Sequence, residues 1–85
     1  MLQQAIRVKT DPDPYEPLRL AQAYRVDNII YVSGQAAITL QGKVVGAGDF
    51  DAQAAQTFEN LQAVLRAGGS DLSKVVKVTI FLKDM

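Results

Sequence analysis

Ser33, Gly34 and Gln35 follow the apolar run Ile29-Ile30-Tyr31-Val32, and their types and position suit them to meet a ligand. A serine at the end of a buried strand can offer its hydroxyl to a bound molecule. A glycine beside it lets that molecule approach the backbone closely. The same pair also reads as a satisfied hydroxyl next to a turn glycine, and composition alone favours that plainer reading. Asp49 and Asp51 form a close carboxylate pair, suited to acid–base work or to a hard cation; capping the helix that follows is the stronger reading. Lys74, Lys77 and Lys83 stand near Asp71 and Asp84, which makes them solvated strand edges before a phosphate-binding strip. Tyr15, Tyr24 and Tyr31 lack the spacing of a base-stacking platform, so packing is expected of them. Gly42, Gly46 and Gly48 fit no phosphate-loop pattern.

Composition removes further chemistry. The 85 residues include no cysteine and no histidine. That excludes a disulfide framework, a thiol nucleophile, a Cys or His metal site and a Ser-His pair. No metal or cofactor is expected. Nine basic residues balance nine acidic ones, so no nucleic-acid-binding surface is expected either. No apolar run approaches the roughly 20 residues that span a bilayer. Met1-Leu2-Gln3-Gln4 does not begin a signal peptide, and the absence of cysteine fits a cytoplasmic location. The length allows one small domain. A chain this short buries roughly 60–65% of its unfolded surface, which leaves it marginal without help from a partner.

The elements that must position Ser33 and Gly34 can be placed from pattern. Gln3 to Lys9 reads as a short strand. Asp11-Pro12-Asp13-Pro14-Tyr15-Glu16-Pro17 forbids helix and removes ladder donors, so it is a loop or strap. Leu20 to Val26 is a second extended segment, and Asp27-Asn28 a turn. Asn28 to Ser33 is a strand with both faces apolar, which predicts a place inside the sheet. Ala36 to Gly48 is a short hairpin or wandering loop with Gln41-Gly42 at its tip.

Asp51 to Ala67 is predicted helical, because Ala54, Phe58, Leu61 and Leu65 recur at spacings of four, three and four, with Val64 widening the stripe. Asp49 or Asp51 would cap it, and Gly68-Gly69 would stop it. Ser70 to Lys74 reads as one turn capped by Ser70. Val75 to Leu82 reads as a strand. Its Val76, Val78, Ile80 and Leu82 face should pack on the helix stripe, and Phe81 on the other face suggests a subunit contact.

Three ordered pieces carry a family resemblance. Asn28 to Gln35 resembles the strand-plus-Ser-Gly-Gln segment of the RidA family, also known as YjgF or endoribonuclease L-PSP. The helix containing Glu59-Asn60-Leu61 is similar to that family's helix. Gly68 to Met85, with Val75-Val76-Lys77-Val78-Thr79 at its centre, is similar to its next segment. The resemblance implies an α+β fold of the chorismate-mutase-like kind: a mixed β-sheet with helices on one face. It implies a homotrimer whose sheets join, with ligand clefts between subunits. It implies a second helix and further strands beyond Met85.

The activity implied is hydrolytic deamination of reactive 2-imino or enamino acids to 2-oxo acids and ammonia. The family's carboxylate-binding arginine and water-positioning glutamate fall beyond Met85, so no catalytic residue is expected in this stretch. Of the family's pocket, Ser33 matches the serine and Gly34 the adjacent glycine. Leu20 stands where the family has a tyrosine, a departure that makes the cleft more apolar. A non-catalytic binding protein is therefore the alternative, and ribonuclease activity a weaker one.

Overall fold

A computed structural model describes residues 4–80. Its first element, β1, is short, at Ile6–Val8; Gln3, where the sequence reading began that strand, lies outside the described residues. Then comes the proline-rich strap, which is ordered and holds a 3₁₀ turn at Glu16–Leu18 with proline inside it. The strap is fastened at several points. Asp13 Oδ1 accepts from the backbone N–H of Tyr15 at 2.9 Å, a local turn that aspartate favours. Arg7 donates to the carbonyl of Leu20 at 3.1 Å, and Lys9 pairs with Glu16 at 2.7 Å.

Strands β2 (Ala23–Val26) and β3 (Ile29–Val32) form a hairpin closed by the pair Val26–Ile29. Asp27 turns the corner with a left-handed φ of 52°, which a short polar side chain tolerates. Strand β2 also pairs antiparallel with β1, so the sheet order is β1-β2-β3. This corrects the expected interior place of β3: among the described residues it is an edge strand, and β2, of equal length, is central. Two apolar faces signal burial on both sides of a strand and say nothing about ladder neighbours. Ile30 and Val32 do turn inward, while Ile29 and Tyr31 stay exposed.

Helix α1 runs from Phe50 to Ala67. Asp49 is its cap, accepting from Ala52 N–H at 3.2 Å, while Asp51 sits in the first turn, where a carboxylate complements the helix dipole. The C-terminus closes as a Schellman motif: Ser70 N–H bonds Leu65 carbonyl and Gly69 N–H bonds Arg66 carbonyl. Gly69 supplies the left-handed residue at φ 88°. The predicted stripe holds at its C-terminal end, where Val64 and Leu65 are buried, and fails at Phe58. Phe58 is exposed, and Asn60, Val64 and Leu65 are the buried residues. Val64 meets Val8 and Ala23 in a small core, with Ile30 and Val32 packed against it.

Two further differences concern the segment after α1. Asp71, not Ser70, caps the 3₁₀ turn Leu72–Lys74, through the N–H of Ser73. Val75 to Ile80 form no strand, and the predicted inward face is open, with Val76 99% exposed. An extended segment becomes a strand only when its N–H and C=O groups find a ladder partner, and none lies beside it among the described residues. Phe81 and Leu82 lie outside them. In contrast, the expected hairpin around Gln41-Gly42 exists in reduced form, as one bridge between Ile38 and Val44 with Gly42 at φ 85°.

Candidate functional site

The end of β3 and the start of β2 meet at one corner of the sheet. Ser33 N–H donates to the carbonyl of Gln22 at 2.9 Å, extending the ladder by one residue. The Ser33 hydroxyl donates to the Ala21 carbonyl at 2.7 Å. A carbonyl only accepts, so the hydroxyl hydrogen is committed there and the oxygen's lone pairs remain for a ligand. Ser33 and Gly34 are both exposed. No atom lies within 4 Å of the place where a Cβ on Gly34 would sit, so that side of the backbone is open to approach. Leu20 lies one residue from the Ser33 contact, and its side chain is 55% exposed. The structure therefore brings Leu20, Ser33 and Gly34 to one corner.

Residues to which the sequence assigned packing or no role at this place hold the corner. Tyr15 is 8% exposed. Its hydroxyl donates to the Gly34 carbonyl at 2.5 Å, and its own carbonyl accepts from Leu20 N–H at 3.1 Å. One residue thus ties the strap to both halves of the corner. Burial, and then the negative charge of Asp13, push the Tyr15 phenol above its ordinary value of 10.0, so it stays a neutral donor. On the next turn of chain, Asn60 of α1 donates to the carbonyls of Ala36 at 3.0 Å and Ile38 at 2.5 Å. Its oxygen accepts from Gln56 at 2.8 Å. A signal for Asn60 existed: it stands four residues before Val64, on the inward seam, where a polar side chain needs a partner. Tyr15 had none beyond being an aromatic inside a proline-rich loop.

Gln22 completes the support. It is 1% exposed and bonds Thr10 reciprocally, accepting from Thr10 N–H at 2.7 Å and donating to Thr10 Oγ1 at 3.0 Å. The two sheet faces differ. The outer face carries Tyr24 directly opposite Tyr31, and both are exposed, at 43% and 60%.

Two grooves lie away from the corner. One of about 540 Å³ runs between β3, α1 and the Val75–Val78 stretch, with Ile30, Val32, Leu61 and Leu65 in its wall. Another of about 440 Å³ is lined by Phe58, Glu59 and Arg66 of α1 and by Leu72. Neither touches Leu20, Ser33 or Gly34. Asp49 is engaged in capping, and no group of three or more acidic side chains that could hold a metal ion converges among the described residues. No helix among them is long and apolar enough to cross a membrane.

Comparison with known proteins places this corner in context. The family described as Endoribonuclease L-PSP matches residues 10–85. A RutC family protein of Pyrococcus abyssi is 36% identical over 85 residues, covering 100% of this chain and 65% of that protein. A 2-iminobutanoate/2-iminopropanoate deaminase of Dermatophagoides farinae is 37% identical over 73 residues, covering 86% of this chain and 56% of that protein. The solved structure of Protein YJGH superposes with a TM-score of 0.69 at 26% identity, over 89% of this chain and 57% of the other. The chain thus spans 65% of the length of the first relative.

Proposed function

Since the chain belongs to the Endoribonuclease L-PSP family, which includes the RidA, YjgF and RutC proteins, we propose that its full-length form hydrolyses reactive 2-imino or enamino acids. Water adds to the imine carbon, the carbon–nitrogen bond breaks, and a 2-oxo acid and ammonia leave. The observation that carries this reading is the 37% identity to the Dermatophagoides farinae protein named 2-iminobutanoate/2-iminopropanoate deaminase. The geometry of the corner supports it. An exposed serine hydroxyl with free lone pairs stands beside an unobstructed glycine backbone, and a small planar acid could lie against them.

The reading includes three further parts. Ser33, Gly34 and Leu20 line the substrate site. The 85 residues form a single domain of partial family length, with the carboxylate-binding arginine supplied from sequence beyond Met85. Arginine suits that task because its planar fork grips a carboxylate with two hydrogen bonds. The protein is a cytoplasmic homotrimer with sites between subunits, which fits a corner that lies in no groove of the single chain. A relative in Saccharomyces cerevisiae is named as mitochondrial, and cell fractionation decides the compartment.

The test is an assay of the full-length gene product on 2-iminobutanoate generated in situ by an amino-acid oxidase. Imine decay faster than in buffer supports the reading, and decay at the buffer rate overturns it. Leu20 favours a second reading, a binding protein without catalysis. Its exposed aliphatic side chain brings no hydroxyl to the corner. Saturable binding of 2-oxobutanoate without turnover would establish that reading instead.

A further inference from the structure

We propose that Tyr15 is the positioning residue of the Ser33–Gly34 corner, fixing the Gly34 peptide against which the substrate lies. This rests on the deaminase reading of that corner and adds a residue to it. The inference starts from what Tyr15 bonds. Its hydroxyl donates to the Gly34 carbonyl at 2.5 Å across 19 residues of sequence. Its carbonyl accepts from Leu20 N–H at 3.1 Å. The two pieces of the site, 13 residues apart in the chain at Leu20 and Ser33, are therefore clasped by a third residue belonging to neither.

The physical need is clear at Gly34. Glycine has the widest backbone freedom of any residue, and no side chain packs here to restrain it: the space beside its Cα is empty to 4 Å. Gly34 is also exposed. A peptide with such freedom holds one orientation only if its polar groups are tied. The phenol ties the carbonyl, and because a trans peptide is planar, the N–H of Gln35 is then fixed in the opposite direction. The ring is held by burial, and the backbone that carries it by Asp13, whose carboxylate accepts from the Tyr15 backbone N–H at 2.9 Å. The restraint is thus in place before a ligand arrives, which is what a positioned site requires. Tyr15 itself reaches the reacting atoms only through Gly34.

The test uses the full-length gene product in the imine assay, with four proteins compared. Tyr15→Phe keeps the ring and removes the donor; kcat/KM is expected to fall about tenfold, with the circular-dichroism spectrum unchanged. Glu16→Gln loosens the strap at its exposed ion pair with Lys9 while leaving the hydroxyl bond intact; activity within about twofold of wild type is expected. Gly34→Ala keeps the hydroxyl bond and has room for its methyl group, but fills the side where substrate would lie; a raised KM is expected.

Wild-type activity with an unchanged Tyr15→Phe variant overturns the positioning role and leaves the deaminase reading standing. Loss of activity in Glu16→Gln equal to that in Tyr15→Phe also overturns it, because Tyr15 would then be an anchor of the strap and nothing more. If Tyr15→Phe fails to fold, an unaltered KM in Gly34→Ala removes substrate from this corner and sinks the proposal by itself. An inactive wild type overturns the deaminase reading, and the role of Tyr15 with it.

Discussion

The carboxamide of Asn60 is hydrogen-bonded to the carbonyl of Ile38 at 2.5 Å, across 22 residues of sequence, and its second contact is the carbonyl of Ala36. A helix side chain thereby takes up two carbonyls of the loop that leaves the Ser33–Gly34 corner, a loop with a single bridge of its own. Asn60 itself is 6% exposed. Asn60→Ala is expected to destabilise the fold by about 1 kcal/mol, the loss of hydrogen bonds to two partly exposed carbonyls. Urea unfolding measures this, and a midpoint equal to wild type would refute it.

Gly68, the residue that follows α1, packs closely on the sheet. A Cβ there would lie 2.9 Å from Ile30 Cδ1 and 3.3 Å from Val8 Cγ2, inside a core with few residues to yield. Gly68→Ala is expected to cost about 1–3 kcal/mol by overpacking. Gly69→Ala is expected to cost about 1 kcal/mol through its φ of 88°. Thermal melts of both variants check the order: crowding above backbone strain.

Acid should weaken the strap and the turn after α1. The Lys9 hydrogen bond and charge hold Glu16 below its ordinary 4.5. Hydrogen bonds from Ser73, first from the hydroxyl and then from the backbone, hold Asp71 below 3.8. Both values are lower folded than unfolded, so their stabilisation is whole above the unfolded values and is lost as pH falls through the folded ones. The melting temperature should decline on acidification through this range, and Lys9→Met should flatten part of the slope. Tyr15 is the mirror case. Its raised value means stabilisation that is whole below 10.0 and lost as pH rises through the folded value. A melting temperature flat from neutral pH into acid would contradict the Glu16 and Asp71 assignments.

The outer sheet face carries Tyr24 against Tyr31, with Ile29 beside them, all exposed. If three copies join their sheets, this is the face available for it. Tyr31→Asp places a charge at that contact, and sedimentation should then show monomer where wild type shows trimer. A wild-type monomer would remove the trimer from the proposed function.

The 85-residue chain alone is expected to leave 2-iminobutanoate decaying at the buffer rate, because it lacks the proposed carboxylate-binding arginine. Turnover by this chain would show that the arginine is dispensable.

How much of this was legible beforehand follows from the kind of signal each part leaves. Helix α1, its Asp49 cap and its Gly69 stop were readable because local rules decide them: periodicity, a short acceptor side chain, a left-handed glycine. Ser33 and Gly34 were readable from the resemblance and from their place after an apolar run. The edge position of β3 and the unpaired Val75–Ile80 stretch were not, since a strand's neighbours are set by distant chain that its own pattern does not encode. The Tyr15 and Asn60 contacts were hidden for a related reason. Each spans about twenty residues, and nothing in the local sequence names the carbonyl at the far end.

The open edge of β3 bears on how the chain behaves in a tube. From Ile29 to Val32 it offers four consecutive β-branched or aromatic residues with no charge and no proline, and no neighbouring strand among the described residues blunts it. Such an edge is a template on which another chain can add. Lys74 and Lys77, beside the same groove, are the nearest gatekeepers, and they act by charge, so salt disarms them. Concentrated, high-salt preparations of these 85 residues are expected to aggregate through this edge sooner than dilute, low-salt ones, and light scattering against salt checks it.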